Sequence, residues 1–559
     1  MEFSLFSASA VFPGALPHPV FIMTSLGPIF ADDLARVKPG DRLRLTISAQ
    51  TSDAAALAQA ALEARARGER VLVVCADPAD VPRLAQEMPW FEPKLDVRPL
   101  PDWETLPYDV LSPQEELVSE RLEALYRLTA PTGGADVLLT SAVTASQRLS
   151  PVSYIGTNTF FFHQGEQISL TTLQKRLAAA GYANVKQVLA AGEFAVRGSI
   201  VDVFPMGSER PFRLDFFDDE IESIRWFDVD TQRSMESAEE IRLLPGHEFP
   251  VDPEALLAFR QRWRREFAGD PKKSIVYCDI EKEILPPGIE YYLPLFFDET
   301  AALTDYLPPN ARVFLLGDIE AALQAFGRDM ASRYKVLAAD PQRPALAPER
   351  IWLKPEEFFK SLANFARFTV EKKENAEDLK RLSGIEVDRK SQNPVGKLLE
   401  RTCESAMKGV RTLIAAPSAG RMETMSQLLR TGGLSVEEFP DWQTFLEADS
   451  SLSIAAAPLF SGAVFHHPEI VILSEAELYA ASPRRHRLRR VKHATTLEMM
   501  VRDVAELKPG DAVVHADHGI GRYQGLVHME TPDGDAEFLE ITYKNDAKLF
   551  VPITNLQLI

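Results

Sequence analysis

The period of the apolar positions changes several times along the chain, and each change marks a predicted element. Arg42-Leu-Arg-Leu-Thr-Ile-Ser48 alternates apolar and polar residues and predicts a strand. The alanine-rich stretch 54–67 follows as a helix, with Asp53 as its N-cap and Gly68 as its stop. Arg70-Val-Leu-Val-Val-Cys75 is then continuously apolar, the pattern of a strand covered on both faces. Strand, helix and strand make a β-α-β unit of a parallel sheet. A helix over 113–128 and a strand over 137–141 extend it.

After residue 146 the pattern shifts to short strands. A helix over 172–180 precedes strands at 185–189, 194–204, 212–217 and 221–227, with Asp218-Asp219 as a hairpin turn between the last two. This is a compact α+β domain inserted into the parallel-sheet domain. Residues 231–345 are mixed, with helices at 253–267 and 318–327, an aromatic run Tyr291-Tyr-Leu-Pro-Leu-Phe-Phe297 and a strand at 312–316. Residues 372–395 carry eleven charged side chains with little periodicity, so 346–395 reads as a connector. A smaller α/β unit over 396–480 has helices at 397–407 and 419–431 and strands at 412–416 and 469–473. Glu475 and Glu477 after its last strand read as surface carboxylates. The run 484–492 holds five arginines and Lys492 without aromatic residues, so it lacks a stacking platform for bases and fits a solvated linker.

From Leu507 onward, β-branched and aromatic runs are separated by Gly, Pro, Asn and Asp. That predicts a five-stranded SH3- or Tudor-like barrel. The stretch holds four Lys or Arg against eight Asp or Glu, which favours a protein partner over phosphates. The fold class is therefore α/β multidomain. It comprises an extension (1–23), a parallel-sheet domain (24–145), an inserted α+β domain (146–230), a mixed return segment (231–345), a connector (346–395), a small α/β domain (396–480), a basic linker (481–500) and a β-barrel (501–559).

A chain of 559 residues accommodates several such domains, and its net charge of -20 argues against non-specific coating of nucleic acid. Cys75, Cys278 and Cys403 are far apart, in neither metal-ligand nor disulfide spacing, and read as buried small hydrophobes in a reducing cytoplasm. No metal site is expected. The apolar N-terminus is broken by four prolines and lacks a basic leader, no apolar run suffices to span a bilayer, and Met23 could be a second start. The loop Ala49-Gln-Thr-Ser-Asp53 has neither the glycines nor the lysine of a phosphate-binding loop, and Asp53 would repel phosphate. Gly396-Lys397 lacks the upstream glycine. The parallel-sheet domain thus reads as an ATPase frame without an ATP site, with no catalytic residue.

Several motifs carry a family resemblance. Leu100-Pro-Asp-Trp-Glu-Thr-Leu-Pro-Tyr-Asp109, Gly192-Glu-Phe-Ala-Val-Arg-Gly-Ser-Ile-Val-Asp-Val-Phe-Pro205, Phe212-Arg-Leu-Asp-Phe-Phe-Asp-Asp-Glu220 and Gly288-Ile-Glu-Tyr-Tyr-Leu-Pro-Leu-Phe-Phe297 resemble the UvrB-homology module of bacterial transcription-repair coupling factors, Mfd. His518-Gly-Ile-Gly-Arg-Tyr523 and Tyr543-Lys-Asn-Asp-Ala-Lys-Leu-Phe-Val-Pro552 are similar to that family's RNA-polymerase-interacting domain, a CarD-like Tudor fold. The resemblance implies a degenerate RecA-like domain interrupted by a UvrA-binding domain, then a domain that grips the β subunit of stalled RNA polymerase. It implies Leu526, His528, Met529 and Phe550 as polymerase contacts, and Arg197 and Lys186 as UvrA contacts. Ala183 and Ala195 stand where UvrB has further arginines. UvrB's DNA-clamping hairpin has no counterpart in 100–115.

In the family, helicase-type domains hydrolyse ATP with Mg²⁺, push on double-stranded DNA and release the polymerase. This chain stops at Ile559, so no cofactor is expected in it. The leading expectation is a cytoplasmic adaptor for transcription-coupled nucleotide-excision repair, joining RNA polymerase to UvrA. The alternatives are a DNA-dependent ATPase or translocase, as the full-length family is, and a stand-alone repair protein like UvrB.

Overall fold

Strands covered on both faces need apolar residues at successive positions. Three runs that supply them, Val71–Cys75, Val137–Ser141 and Arg312–Leu316, lie together in one parallel sheet of the computed structural model. The structure describes residues 20–22, 36–50, 52–130, 134–388, 391, 393–466, 468–479, 512–515, 519–531, 534–543 and 548–552. They divide into two compact units, Met1–Ala480 and Ala481–Ile559. The basic run 484–492 lies outside the described residues.

Among the described residues the parallel sheet has seven strands, ordered Val20–Ile22, Arg42–Ser48, Ala366–Lys373, Arg312–Leu316, Val71–Cys75, Val137–Ser141 and Val97–Pro99. Leu72, Val74, Leu138 and Val313 belong to the core on one face, and Val73, Cys75, Leu139 and Phe314 to the core on the other. The helix Asp53–Ala66 is buried around most of its circumference, which its small alanines allow. Arg42–Ser48 and Val71–Cys75 do share a sheet, but two strands contributed from much later in the chain lie between them.

One of those two corrects an expectation. Ala366–Lys373 begins within the supposed connector and runs into its charged part, yet it is a central strand, hydrogen-bonded to Arg312–Leu316 and Arg42–Ser48. Its run is interrupted by polar residues whose partners are remote in sequence. Arg367 is buried, and Lys372 pairs with Asp53. Phe368 is fully buried and stacks on Phe314 with ring centres 4.6 Å apart. Composition alone could not show that these charges are spoken for.

The α+β unit is built on a six-stranded sheet, ordered Ser234–Ala238, Glu220–Phe227, Phe212–Phe217, Ile200–Val203, Glu193–Arg197 and Ala183–Asn184. The single run expected over 194–204 is two strands folded at Gly198, where φ is +64°. The strand expected at 185–189 is not formed; the chain pairs only at Ala183–Asn184 and then loops. Pairing continues past residue 230, where Glu240–Leu243 pairs with Phe160–His163.

Arg121 ties this unit to the sheet domain. Its side chain is fully buried, with Nε 2.7 Å from Glu248, Nη1 2.7 Å from the Pro101 carbonyl and Nη2 2.9 Å from Gln147. Trp103 donates to the other Glu248 oxygen at 3.0 Å. Trp103 is therefore a packing residue at a domain junction. The aromatic run 291–297 forms a 3₁₀ helix, Ile289–Leu295, in the same core as Trp103, Trp263 and Tyr277.

Residues 411–474 form a five-stranded sheet ordered Glu437–Phe439, Leu452–Ala456, Arg411–Ala416, Glu469–Ser474 and Ala463–His466. It is fused to the first sheet rather than free-standing, because Leu413, Ala415 and Ile472 share a core with Val73 and Cys75. Glu477 is buried, not a surface carboxylate. It accepts hydrogen bonds from the Ser474 hydroxyl and from the amides of Gly462 and Ser474. Glu475 pairs with Arg421. Of the cysteines only Cys75 is buried; Cys278 is half-buried and Cys403 exposed.

In the second unit the described strands form a four-stranded antiparallel sheet, Ala512–His515, Gly519–Thr531, Gly534–Thr542 and Lys548–Pro552, paired in chain order. Four strands lie among the described residues where a five-stranded barrel is expected. Its core is Val513, Tyr523, Leu539, Ile541 and Val551. Among the described residues no helix is long and apolar enough to cross a membrane.

Phe368→Ala should destabilise unit 1 by about 3–5 kcal/mol in urea denaturation, where a connector residue would give little change. Arg121→Ala should cost about 3–5 kcal/mol in the same measurement, because it strands Glu248 without its charge partner.

Candidate interaction surfaces

The loop where a phosphate site would stand is spoken for by the protein itself. Ser52, not Asp53, caps the helix: its hydroxyl accepts from the Ala55 amide at 3.2 Å. Asp53 is buried and held by Arg83 and Lys372. A β-branch-free polar residue directly before the alanine run favours either cap in sequence, and only the backbone geometry distinguishes them.

On the α+β unit, Glu193–Arg197 and Ile200–Val203 form a hairpin whose tip carries Arg197. Arg197 is exposed, and its guanidinium donates to the Lys186 carbonyl at 3.2 Å rather than to an acidic neighbour. The loop beneath is pinned at several points. Glu193 accepts from the amides of Leu189 and Ala190 at 2.7 and 3.0 Å, and Val188 is fully buried with Ala195 and Phe227. The sheet thus brings two predicted site residues, Lys186 and Arg197, to one exposed patch on a braced backbone. Ala195 faces the core, whereas Ala183 is exposed on the edge strand.

Two residues that sequence reasoning missed are exposed in the same unit, Leu189 in the braced loop and Phe217 at a strand end, at 58% and 68%. Phe217 had a signal. In Phe212–Phe217 the alternation ends on adjacent phenylalanines, and successive strand residues cannot both face one core. Leu189 had none.

In the second unit, Leu526, His528 and Met529 all lie on the strand Gly519–Thr531, paired with Leu539, Glu537 and Ala536. Phe550 lies two strands away, opposite Glu540, which in turn faces Gly525, and is partly exposed. The structure therefore gathers three of the four predicted contacts on one strand and sets Phe550 apart. Gly521 has a packing reason: a Cβ there would meet the Ile541 side chain at 2.4 Å. A bulge between Tyr523 and Gly525 bends this long strand, with Gly525 at φ +140°. Ile520, between Gly519 and Gly521, is the most exposed large apolar side chain described in this unit.

Comparison with known proteins places family models on three of these regions. A UvrB interaction domain matches residues 160–249, an MFD D3 domain matches 406–478, and a CarD-like/TRCF RID domain matches 507–559. They fall on the α+β unit, the five-stranded sheet and the C-terminal sheet. The transcription-repair-coupling factor of Haemophilus influenzae is 38% identical over 475 residues, covering 83% of this chain and 41% of the relative. That of Escherichia coli is 37% identical over 499 residues, covering 88% and 42%. The Bacillus subtilis protein is 25% identical over 484 residues, covering 79% and 38%. The chain spans about two fifths of the length of these curated relatives. With three domain matches and this identity over most of its length, the chain belongs to the transcription-repair coupling factor family.

Proposed function

We propose that this chain works as the coupling part of transcription-coupled nucleotide-excision repair, joining RNA polymerase to UvrA. The observation that carries this reading is the presence of two interaction domains on two separate structural units. The UvrB interaction domain at 160–249 would take UvrA, and the CarD-like domain at 507–559 would take the polymerase β subunit. Both candidate surfaces sit on hairpins and strands, so recognition needs no folding on contact. On the α+β unit the contact residues are Arg197 and Lys186, with their exposed neighbour Leu189. On the C-terminal sheet they are Leu526, His528, Met529 and Phe550.

The finer fold reading belongs to the same proposal. The seven-stranded sheet is a degenerate RecA-like frame, and the C-terminal sheet belongs to a Tudor-like barrel. No ATP chemistry is assigned to these 559 residues. The loop 49–53 carries no lysine or glycine, and no Gly-x-x-x-x-Gly-Lys-Ser/Thr motif occurs in the sequence. ATP-driven translocation on double-stranded DNA, with Mg²⁺, is assigned to the helicase-type domains that the family resemblance implies. The setting is the bacterial cytoplasm, where both partners work. DNA-stimulated ATP hydrolysis by this chain would overturn the adaptor reading.

Met529→Arg should abolish co-purification with RNA polymerase while UvrA binding stays intact; equal polymerase binding would place the contact elsewhere. Conversely, Lys186→Glu with Arg197→Glu should weaken UvrA binding by roughly tenfold or more in a salt-controlled titration. Polymerase binding by that variant should not change.

A further inference from the structure

Open α/β sheets take their ligands at the carboxyl ends of the strands. In this chain that edge, beside the first turn of the helix Asp53–Ala66, already holds an anion. Asp53 is 3% exposed, yet two cations converge on it. Arg83 donates through Nη1 and Nη2 to its two oxygens, each at 2.8 Å, and Lys372 Nζ lies 2.5 Å from Oδ2. The Ala54 amide completes the set at 3.0 Å from Oδ1. Burial opposes ionisation of Asp53, but Lys372 and Arg83 more than offset it and hold the carboxyl well below the usual carboxylate range. A cavity of about 100 Å³ adjoins the carboxylate, lined by Ser52, Arg83, Lys372 and Ser461 among others.

The filled cradle also reaches the five-stranded sheet. Arg83 Nη1 donates to Glu87 at 2.7 Å, and the opposite Glu87 oxygen accepts the Phe460 amide at 3.0 Å. The Val464 amide donates to the Gln50 carbonyl of the same loop at 2.8 Å. Chain 457–464 is therefore laid across the edge of the parallel sheet. It is anchored on Gln50, on Glu87, which shares Arg83 with Asp53, and also on Ala416 and Glu477.

We propose that the Asp53 side chain is a built-in ligand. Its carboxylate fills an oxyanion cradle formed by Arg83, Lys372 and the Ala54 amide, and the filled cradle holds segment 457–464 against the sheet. The native chain takes no phosphate group there because its own anion occupies the place. Deleting the carboxylate leaves Lys372 and the Ala54 amide facing a space that a tetrahedral oxyanion can enter. Arg83 lies beside it, with Nη1 also donating to Glu87 at 2.7 Å and Nη2 and Nε also donating to Asp80 at 2.6 and 2.9 Å. This holds independently of the polymerase and UvrA assignments, since it concerns only the interior of unit 1.

The test uses the full chain with Asp53→Ala, in buffer free of polyvalent anions. Expected are a lower melting temperature and about tenfold faster amide exchange in 457–464. Exchange in 512–552 should not change. Inorganic phosphate should restore both, saturably, while chloride at matched ionic strength does not. The wild-type chain should show no phosphate-specific shift, and Lys372→Met added to Asp53→Ala should remove the rescue. Equal responses to phosphate and chloride, or an equal phosphate response in the wild type, overturn the proposal. Should Asp53→Ala fail to fold, Asp53→Asn carries the test. It keeps the volume and drops the charge, and unchanged exchange in 457–464 refutes the role of the carboxylate.

Discussion

Arg121 is the point on which the arrangement of unit 1 turns. It is a fully buried cation, and its side chain reaches Gln147, ahead of the strand Phe160–His163, and Glu248, beyond its partner strand Glu240–Leu243. One guanidinium therefore clamps both stems of the insertion, and its third contact, to the Pro101 carbonyl, fixes the loop that leads to Trp103. A charge so placed is tolerable only because every donor direction it uses meets an acceptor. The geometry lets a separate sheet be spliced into the parallel-sheet domain with both stems held at one point.

The same economy governs the loop 49–53. A parallel sheet creates a ligand-ready edge whether or not a ligand is wanted, because helix starts and strand ends converge there. Here the edge is closed with carboxylates and cations from four distant parts of the chain: Asp53, Arg83 with Glu87, Lys372, and the backbone near Phe460. The absence of phosphate-loop residues and the presence of internal partners are two sides of one fact. Buried donors at such an edge need acceptors, and here the chain's own carboxylates supply them.

The surface proposed for UvrA sits away from that closed edge. Arg197 stands at a hairpin tip and Lys186 in the loop beside it, on backbone braced by Glu193 and by buried Val188, with both cations exposed. In the second unit, Gly521 lets the strand Gly519–Thr531 pass close to Ile541, and the bulge at Gln524 bends it. Gly521, which belongs to a motif that carries the family likeness, thus has a packing role.

Continuous apolar runs made three strands of the main sheet legible, and alternation with a turn signal made the 212–227 hairpin legible. The helix expected over 419–431 is Ala419–Thr431 to the residue, whereas the cap expected at Asp53 is Ser52. The motifs also disclosed the family and the stretches that match its UvrB interaction and CarD-like domains. These features are local: each is written within about ten residues. What the tertiary structure alone decided is everything that rests on a distant partner. Ala366–Lys373 is a central strand because Phe314 covers Phe368 and Asp53 neutralises Lys372. Glu477 is buried because the Gly462 and Ser474 amides receive it. A charge reads as solvated in sequence, and only the fold shows which charges have left water together.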